Sequence, residues 1–201
     1  MTPTRWHVLP DAAAVAAEAR RRVEQAARGA IGERGAFHIV LAGGATPRLL
    51  YSLLPTLATD WSHWHVWFGD ERVAAADDAE RNSVMAQTVW LCRVPIPPPQ
   101  VHIIPTERGL KAAVEAYRQA LAGVGDFDLV LLGLGEDGHT ASLFPGHDWG
   151  IGPGAPDVLA IEDAPKPPRQ RVSLSAARLS RARAVLFLVT GAGKREAVAR
   201  W

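Results

Sequence analysis

Two short stretches, Phe37 to Ala42 (FHIVLA) and Phe127 to Leu132 (FDLVLL), are almost continuously apolar. A strand with one wet face alternates apolar and polar residues, so runs like these belong to strands covered on both sides, as in a parallel sheet. Parallel strands need crossover connections, usually helical. Helical patterns do fall between the candidate strands. Asp11 is placed to cap a long helix whose Val15, Ala19, Val23, Ala26 and Ala30 make one apolar face. Thr46 and Pro47 read as the cap and first residue of a second helix, with Leu49, Leu50, Leu53 and Leu54 as its buried stripe. A third runs from about Asn82 to Leu91, and a fourth is marked by Leu110, Val114, Tyr117 and Leu121.

Further strands are expected at Trp6 to Leu9, His65 to Phe68, Val101 to Ile104, Val158 to Ile161, Arg171 to Leu174 and Ala184 to Val189. Pro95 to Pro99 is a rigid spacer, and residues 147–170, rich in Gly and Pro, form mostly loop. Gly191-Ala192-Gly193-Lys194 opens a last helix that reaches Trp201 without a stop signal, which points to further residues beyond it. Strands alternating with helices predict an α/β fold: a mainly parallel, Rossmann-like sheet with helices on both faces, in one domain over residues 1–201.

Charge narrows the possible partners. Lys plus Arg number 22 against 21 Asp plus Glu, a formal net charge of +1. That balance sets up no whole-molecule field for nucleic acid or an anionic membrane, and leaves room for a local cationic pocket. Cys92 is the single cysteine, so no internal disulfide forms and a reducing compartment fits. Met1 to Val8 lacks the pattern of a signal peptide, and no run of about 18 apolar residues exists to span a bilayer. The expected location is the cytoplasm.

Ligands of such sheets bind at the carboxyl ends of the strands. Four loops follow strands directly and so share that rim: Gly43 to Pro47, Gly69 to Arg72, Gly133 to His139 and Thr190 to Lys194. In the first, Gly43 and Gly44 let backbone N–H groups approach an anion, with Ala45 beside them and the Thr46 hydroxyl at a helix start; the bland alternative is a tight turn. In the second, Arg72 suits phosphate, and Asp70 suits a general base or an orienting group; the alternative is a helix cap with a surface ion pair.

The third loop carries G-x-G-x-x-G at Gly133, Gly135 and Gly138. A dinucleotide reading fails, because Glu136 and Asp137 would repel a pyrophosphate and the Gly/Pro-rich residues that follow leave no crossover helix. The glycines instead shape a loop presenting His139, a base suited to neutral pH, with Asp137 or Glu136 placed to fix its tautomer. In the fourth loop Lys194 suits an anion, or is a solvated lysine. His63 and His65 share a strand face but have no third ligand near them in sequence, so no metal site is expected. No G-x-S-x-G elbow supports an acyl-serine mechanism.

Read together, Ala42 to Pro47 (AGGATP), Trp67 to Arg72 (WFGDER), Phe127 to Gly146 (FDLVLLGLGEDGHTASLFPG), Arg171 to Leu174 (RVSL) and Val185 to Lys194 (VLFLVTGAGK) resemble the 6-phosphogluconolactonase family in order and spacing, over about residues 37–194. The resemblance implies a fold of the sugar-phosphate isomerase and aminosugar-phosphate deaminase type. It implies hydrolysis of 6-phospho-D-glucono-1,5-lactone to 6-phospho-D-gluconate in the oxidative pentose phosphate pathway, with no metal or organic cofactor. The chain departs from the family at Ala45, where serine is frequent, and at Val73 to Asp78, which lacks a frequent proline; the family also continues past Trp201.

On this reading His139 takes a proton from water, and Asp70 or the Glu136–Asp137 pair orients it. Arg72, Lys194 and Arg171, beside the amides of Gly43 to Thr46, hold phosphate or oxyanion. The expected partner is a small phosphorylated sugar lactone, with neither nucleic acid nor membrane, and the expected state of the protein is a monomer or small homo-oligomer. Two rivals stand beside it. One is an aminosugar-phosphate isomerase or deaminase, which this chain resembles less at Phe144, where those enzymes have an acidic residue. The other is a non-catalytic sugar-phosphate-binding module.

Overall fold

A computed structural model describes residues 4–152 and 154–200. Pro153 of the expected glycine- and proline-rich loop, Trp201 at the end of the expected last helix, and Met1 to Pro3 of the start read for a signal peptide lie outside the described residues.

Five strands form an all-parallel sheet: β1 (Phe37–Leu41), β2 (Trp64–Phe68), β4 (Val101–His102), β5 (Leu129–Gly133) and β8 (Val185–Leu188), in the order β4-β2-β1-β5-β8. The chain winds outward from β1 to β2 and β4, then returns to place β5 on the other side of β1. The connections therefore diverge between β1 and β5, the switch point where such sheets open a ligand crevice. Register sorts the two faces. Phe37 stands beside Trp64 and His38 beside His65, so Phe37 and Trp64 point to one side while His38, His65 and Trp67 point to the other. The first side packs under α1 (Ala12–Arg34), α2 (Ala45–Leu53) and α3 (Asn82–Val89), where Trp61, Trp64 and Trp90 cluster with Tyr51. The second packs Trp67 against Tyr117 of α4 (Leu110–Ala120) and Phe127.

Asp11 caps α1 by accepting the Ala14 N–H at 2.8 Å, as its sequence position predicts. The buried stripe is Ala16, Ala19, Val23, Ala27 and Ala30, with Val15 and Ala26 at its margin. Two buried tyrosines tie helices to the strand ends that lead into the ligand rim. Tyr51 Oη donates to Ala42 O at 2.8 Å and accepts from Ala42 N at 3.0 Å. Tyr117 Oη does the same for Phe68, at 3.0 and 2.9 Å. Burial pushes both phenols well above their ordinary range, so they stay neutral hydrogen-bonding pegs.

Three expectations are corrected. The strand at Trp6 to Leu9 is absent: those residues pair with no strand and leave Trp6 and Val8 largely exposed. Helix α2 begins at Ala45 with Gly44 as its cap, at φ 108°. Thr46 and Pro47 thus occupy the first turn, where a missing N–H costs nothing. Most consequentially, Asp70–Arg72 is not loop but a strand, β3, in a second sheet. That sheet is antiparallel, in the order β3-β7-β6, with β7 at Arg171–Leu174 and β6 at Val158–Ile161. A five-residue helix, α5 (Ala176–Ser180), follows β7, and α6 (Arg195–Ala199) ends the described chain.

Candidate active site

The other three rim loops and strand β3 open into one cleft of about 220 Å³ at the β1–β5 switch point. Gly43 and Gly44 line it from the end of β1, and Gly133, Gly135 and His139 from the end of β5. Asp70 and Arg72 enter from β3, Arg171 from β7, and Lys194 from the turn Ala192–Lys194. Ala45, Thr46, Glu136 and Asp137, also expected at the site, do not line the cleft. The Thr46 hydroxyl shares a 2.6 Å hydrogen bond with that of Thr190, joining the first loop to the fourth.

The His139 imidazole is set by its own loop. Nδ1 lies 2.5 Å from Asp137 Oδ1, and the His139 N–H donates to the same oxygen at 3.1 Å. A carboxylate there accepts a hydrogen bond from Nδ1–H, which leaves Nε2 as the basic nitrogen. Partial burial raises the Asp137 carboxyl, but its bonds to the His139 amide and ring outweigh that and hold it below its ordinary range. Gly135 makes the pairing possible: a Cβ there would stand 2.1 Å from His139 Nδ1 and 2.4 Å from Asp137 Oδ1. Gly138, at φ 98°, supplies the turn between them. Glu136 points elsewhere, its carboxylate lying against Gly193 of the fourth loop.

Asp70 is buried, and its bonds go to residues other than His139. Its Oδ2 accepts from Ser142 Oγ at 2.6 Å and its Oδ1 from Asn82 Nδ2 at 3.1 Å, while Asn82 Nδ2 also reaches Asp70 O at 2.9 Å. Ser142 and Asn82 are residues the sequence reading missed. Asn82 also fills the space over Gly43, where a Cβ would lie 2.0 Å from Asn82 Oδ1. The carboxylate thereby locks the His139 loop, α3 and the double-glycine turn together.

Glu71 plays the part of the bland alternative for its loop. Fully buried, it accepts the N–H groups of Arg72, Asn82 and Ser83 at 3.0, 2.7 and 2.8 Å and so caps α3. Burial raises its carboxyl above the ordinary range despite those bonds. Arg81 stands 3.6 Å from it.

Three cations face the cleft. Arg171 is buried, its Nε and Nη2 donating to the carbonyls of Pro168 and Lys166 at 3.2 and 3.1 Å. Arg72 donates through Nη1 to the Glu80 carbonyl and carboxylate, and its Nε is buried with no partner. Such donors beside the Gly43–Gly44 turn at the head of α2 suit a phosphate dianion or a developing oxyanion. His63 and His65 turn to separate partners, Gly35 O and His102. Among the described residues no three His, Cys, Asp or Glu side chains group as a metal site, and no helix is long and apolar enough to cross a membrane.

Fold and cleft together define a Rossmann-like α/β protein with a crevice at its sheet switch point lined by Arg72, Arg171 and Lys194. Residues 10–201 match the family model described as glucosamine-6-phosphate isomerases/6-phosphogluconolactonase, and the chain belongs to that family. The 6-phosphogluconolactonase of Mycobacterium tuberculosis is 39% identical over 206 residues, covering 96% of this chain and 83% of that protein. The solved 6-phosphogluconolactonase of Thermotoga maritima superposes with a TM-score of 0.87 at 28% identity, over 96% of this chain and 87% of that one. That of Trypanosoma brucei gives 0.85 at 31% identity, over 96% and 84%.

Proposed function

We propose that this protein hydrolyses 6-phospho-D-glucono-1,5-lactone to 6-phospho-D-gluconate, the reaction that the relatives described above are named for. The observation that carries the reading is the convergence of a carboxylate-paired imidazole, three cations and a double-glycine turn on one small cleft.

A lactone is a reactive ester, so the site has to supply a base, an oriented carbonyl and oxyanion donors. His139 Nε2 takes a proton from water as its oxygen bonds to the lactone carbonyl carbon. The tetrahedral intermediate then collapses, the bond to the ring oxygen breaks, and that oxygen leaves with the proton held on His139. Asp137 keeps the imidazole in the required tautomer and stabilises its cationic form. Arg72, Arg171, Lys194 and the amides of Gly43 and Gly44 hold the phosphate and the oxyanion; phosphate binding far from the carbonyl orients the ring. Asp70 organises the cleft through Ser142 and Asn82.

On this reading residues 1–201 act as one catalytic domain, as a monomer or small homo-oligomer, on a small phosphorylated lactone, with no nucleic acid or membrane partner. The single cysteine and the bacterial relatives support a cytoplasmic setting, although some plant relatives are named chloroplastic.

The test follows the loss of freshly made lactone with spontaneous hydrolysis subtracted. Enzymatic acceleration that disappears in His139→Ala is expected. Ammonia release from glucosamine 6-phosphate would favour the deaminase instead, and tight phosphosugar binding without turnover would favour a binding module.

A further inference from the structure

Phe144 lies five residues past His139, is 4% exposed and takes no part in the mechanism above. Its ring is nonetheless shared by two groups of the site. The centroids of Phe144 and His139 are 4.9 Å apart with the planes tilted by 42°. The Arg171 guanidinium carbon stands 5.9 Å from the same centroid, within reach of a cation–π contact.

The ring itself is firmly held. It packs with Ile161 and Ala164 in a small apolar cluster, and Ile161 is the direct register partner of Arg171 across β6 and β7. The Phe144 carbonyl accepts Trp149 Nε1 at 2.6 Å and the His147 N–H at 3.2 Å. A rigid aromatic seat thus joins the loop after β5 to the edge of the second sheet.

We propose that Phe144 is a positioning residue: its ring is the common seat of the His139 imidazole and the Arg171 guanidinium, and fixes the span between base and anion-holding cation. The inference rests on the lactonase reading. Water must be activated at one end of the substrate while charge is held at another, and a change of about 1 Å in such a span can cost about a hundredfold in rate.

Phe144→Leu keeps apolar bulk and removes the ring. It should lower kcat ten- to a hundredfold and raise KM severalfold, because both seated groups are loosened. In proton NMR the His139 Cε1–H resonance, displaced by the ring current of Phe144 in the wild type, should move toward its random-coil position. Phe144→Met serves the same purpose should the leucine variant fail to fold.

Wild-type kcat and KM in a folded Phe144→Leu or Phe144→Met variant would overturn the proposal. So would a lowered rate with the His139 resonance unmoved, which would mark Phe144 as merely structural. A wild-type protein that does not hydrolyse the lactone defeats the functional reading instead, and the His139 resonance still reports whether Phe144 seats the ring.

Discussion

Arg72 and Arg171 stand directly opposite one another in the antiparallel pairing of β3 with β7. Like charges in that relationship are destabilising. Burial and then the charge of Arg72 both push the Arg171 guanidinium below its ordinary range. A strained pair of cations on the wall of a cleft is relieved by a bound dianion.

Inorganic phosphate should therefore stabilise the protein. At a phosphate concentration a hundredfold above Kd the gain is about 2.7 kcal/mol, or roughly 5–10 °C in Tm for a chain of this length. Arg171→Met should raise Tm slightly without phosphate and lose most of the phosphate-dependent rise, both read by thermal melts. In kinetics Arg72→Ala should mainly raise KM. A fall in kcat alone would assign Arg72 to the oxyanion instead of the phosphate.

On the proposed mechanism His139→Ala removes the base, and general-base catalysis is worth about 10²–10⁴-fold. The expected result is a kcat loss of that order with KM little changed. Asp137→Asn keeps a hydrogen-bonding group of the same shape but no longer dictates the tautomer or stabilises the imidazolium. It should therefore lose a large part of the same rate, with thermal stability unaltered. Initial rates on fresh lactone measure both, and a normal kcat in His139→Ala would remove His139 from its role.

Much of this site was legible because parallel strands gather their following loops on one rim, so Gly43, Asp70, Arg72, His139 and Lys194 could be read together before their geometry was known. Residues whose role depends on distant pairing were less legible. The three-residue strand β3 exists only because it meets β7 about a hundred residues later, so its sequence looks like a charged loop. For the same reason Glu71 reads as a rim carboxylate, although it caps a helix eleven residues on. Asn82 and Ser142 are uncharged, Asn82 following Glu80 and Arg81 and Ser142 lying among small and apolar residues; nothing in spacing or composition marks them as the partners of Asp70. The apolar segment from Trp6 to Leu9 has strand-like composition but pairs with no strand.

A different set of histidines should govern acid stability. His38, His65 and His102 lie on three adjacent strands, with His38 stacked on His65 at 4.5 Å and His65 on His102 at 5.6 Å. Burial, reinforced for His38 and His102 by the neighbouring imidazoles, lowers all three, His102 to about 4. Around them, Asp128 favours charge on His38 while Arg178 opposes it, and the Trp67 ring stacks on His102 at 3.6 Å. Below about pH 6.5 the unfolded chain binds protons that the folded sheet refuses, so stability falls as the pH drops toward 4. Tm should fall by several degrees between pH 6.5 and 4.5, and His102→Phe should flatten that slope. An equal slope in the variant would clear His102 of responsibility.

Gly135 offers the sharpest separation of chemistry from folding. The space a Cβ would take at this position is already occupied by His139 Nδ1 and Asp137 Oδ1, at 2.1 and 2.4 Å. Gly135→Ala must therefore displace the imidazole, the carboxylate or the loop that carries both. Those side chains are partly exposed, so the displacement disturbs little of the core. Binding of inorganic phosphate, assigned on the proposed reading to Arg72, Arg171 and the Gly43–Gly44 turn, should survive nearly intact. Misaligning a general base removes most of its contribution, so kcat should drop at least about a hundredfold. Phosphate titration by calorimetry beside the lactone assay measures the two effects separately. Loss of phosphate binding together with activity would mean that the loop after β5 shapes the anion site as well as the base.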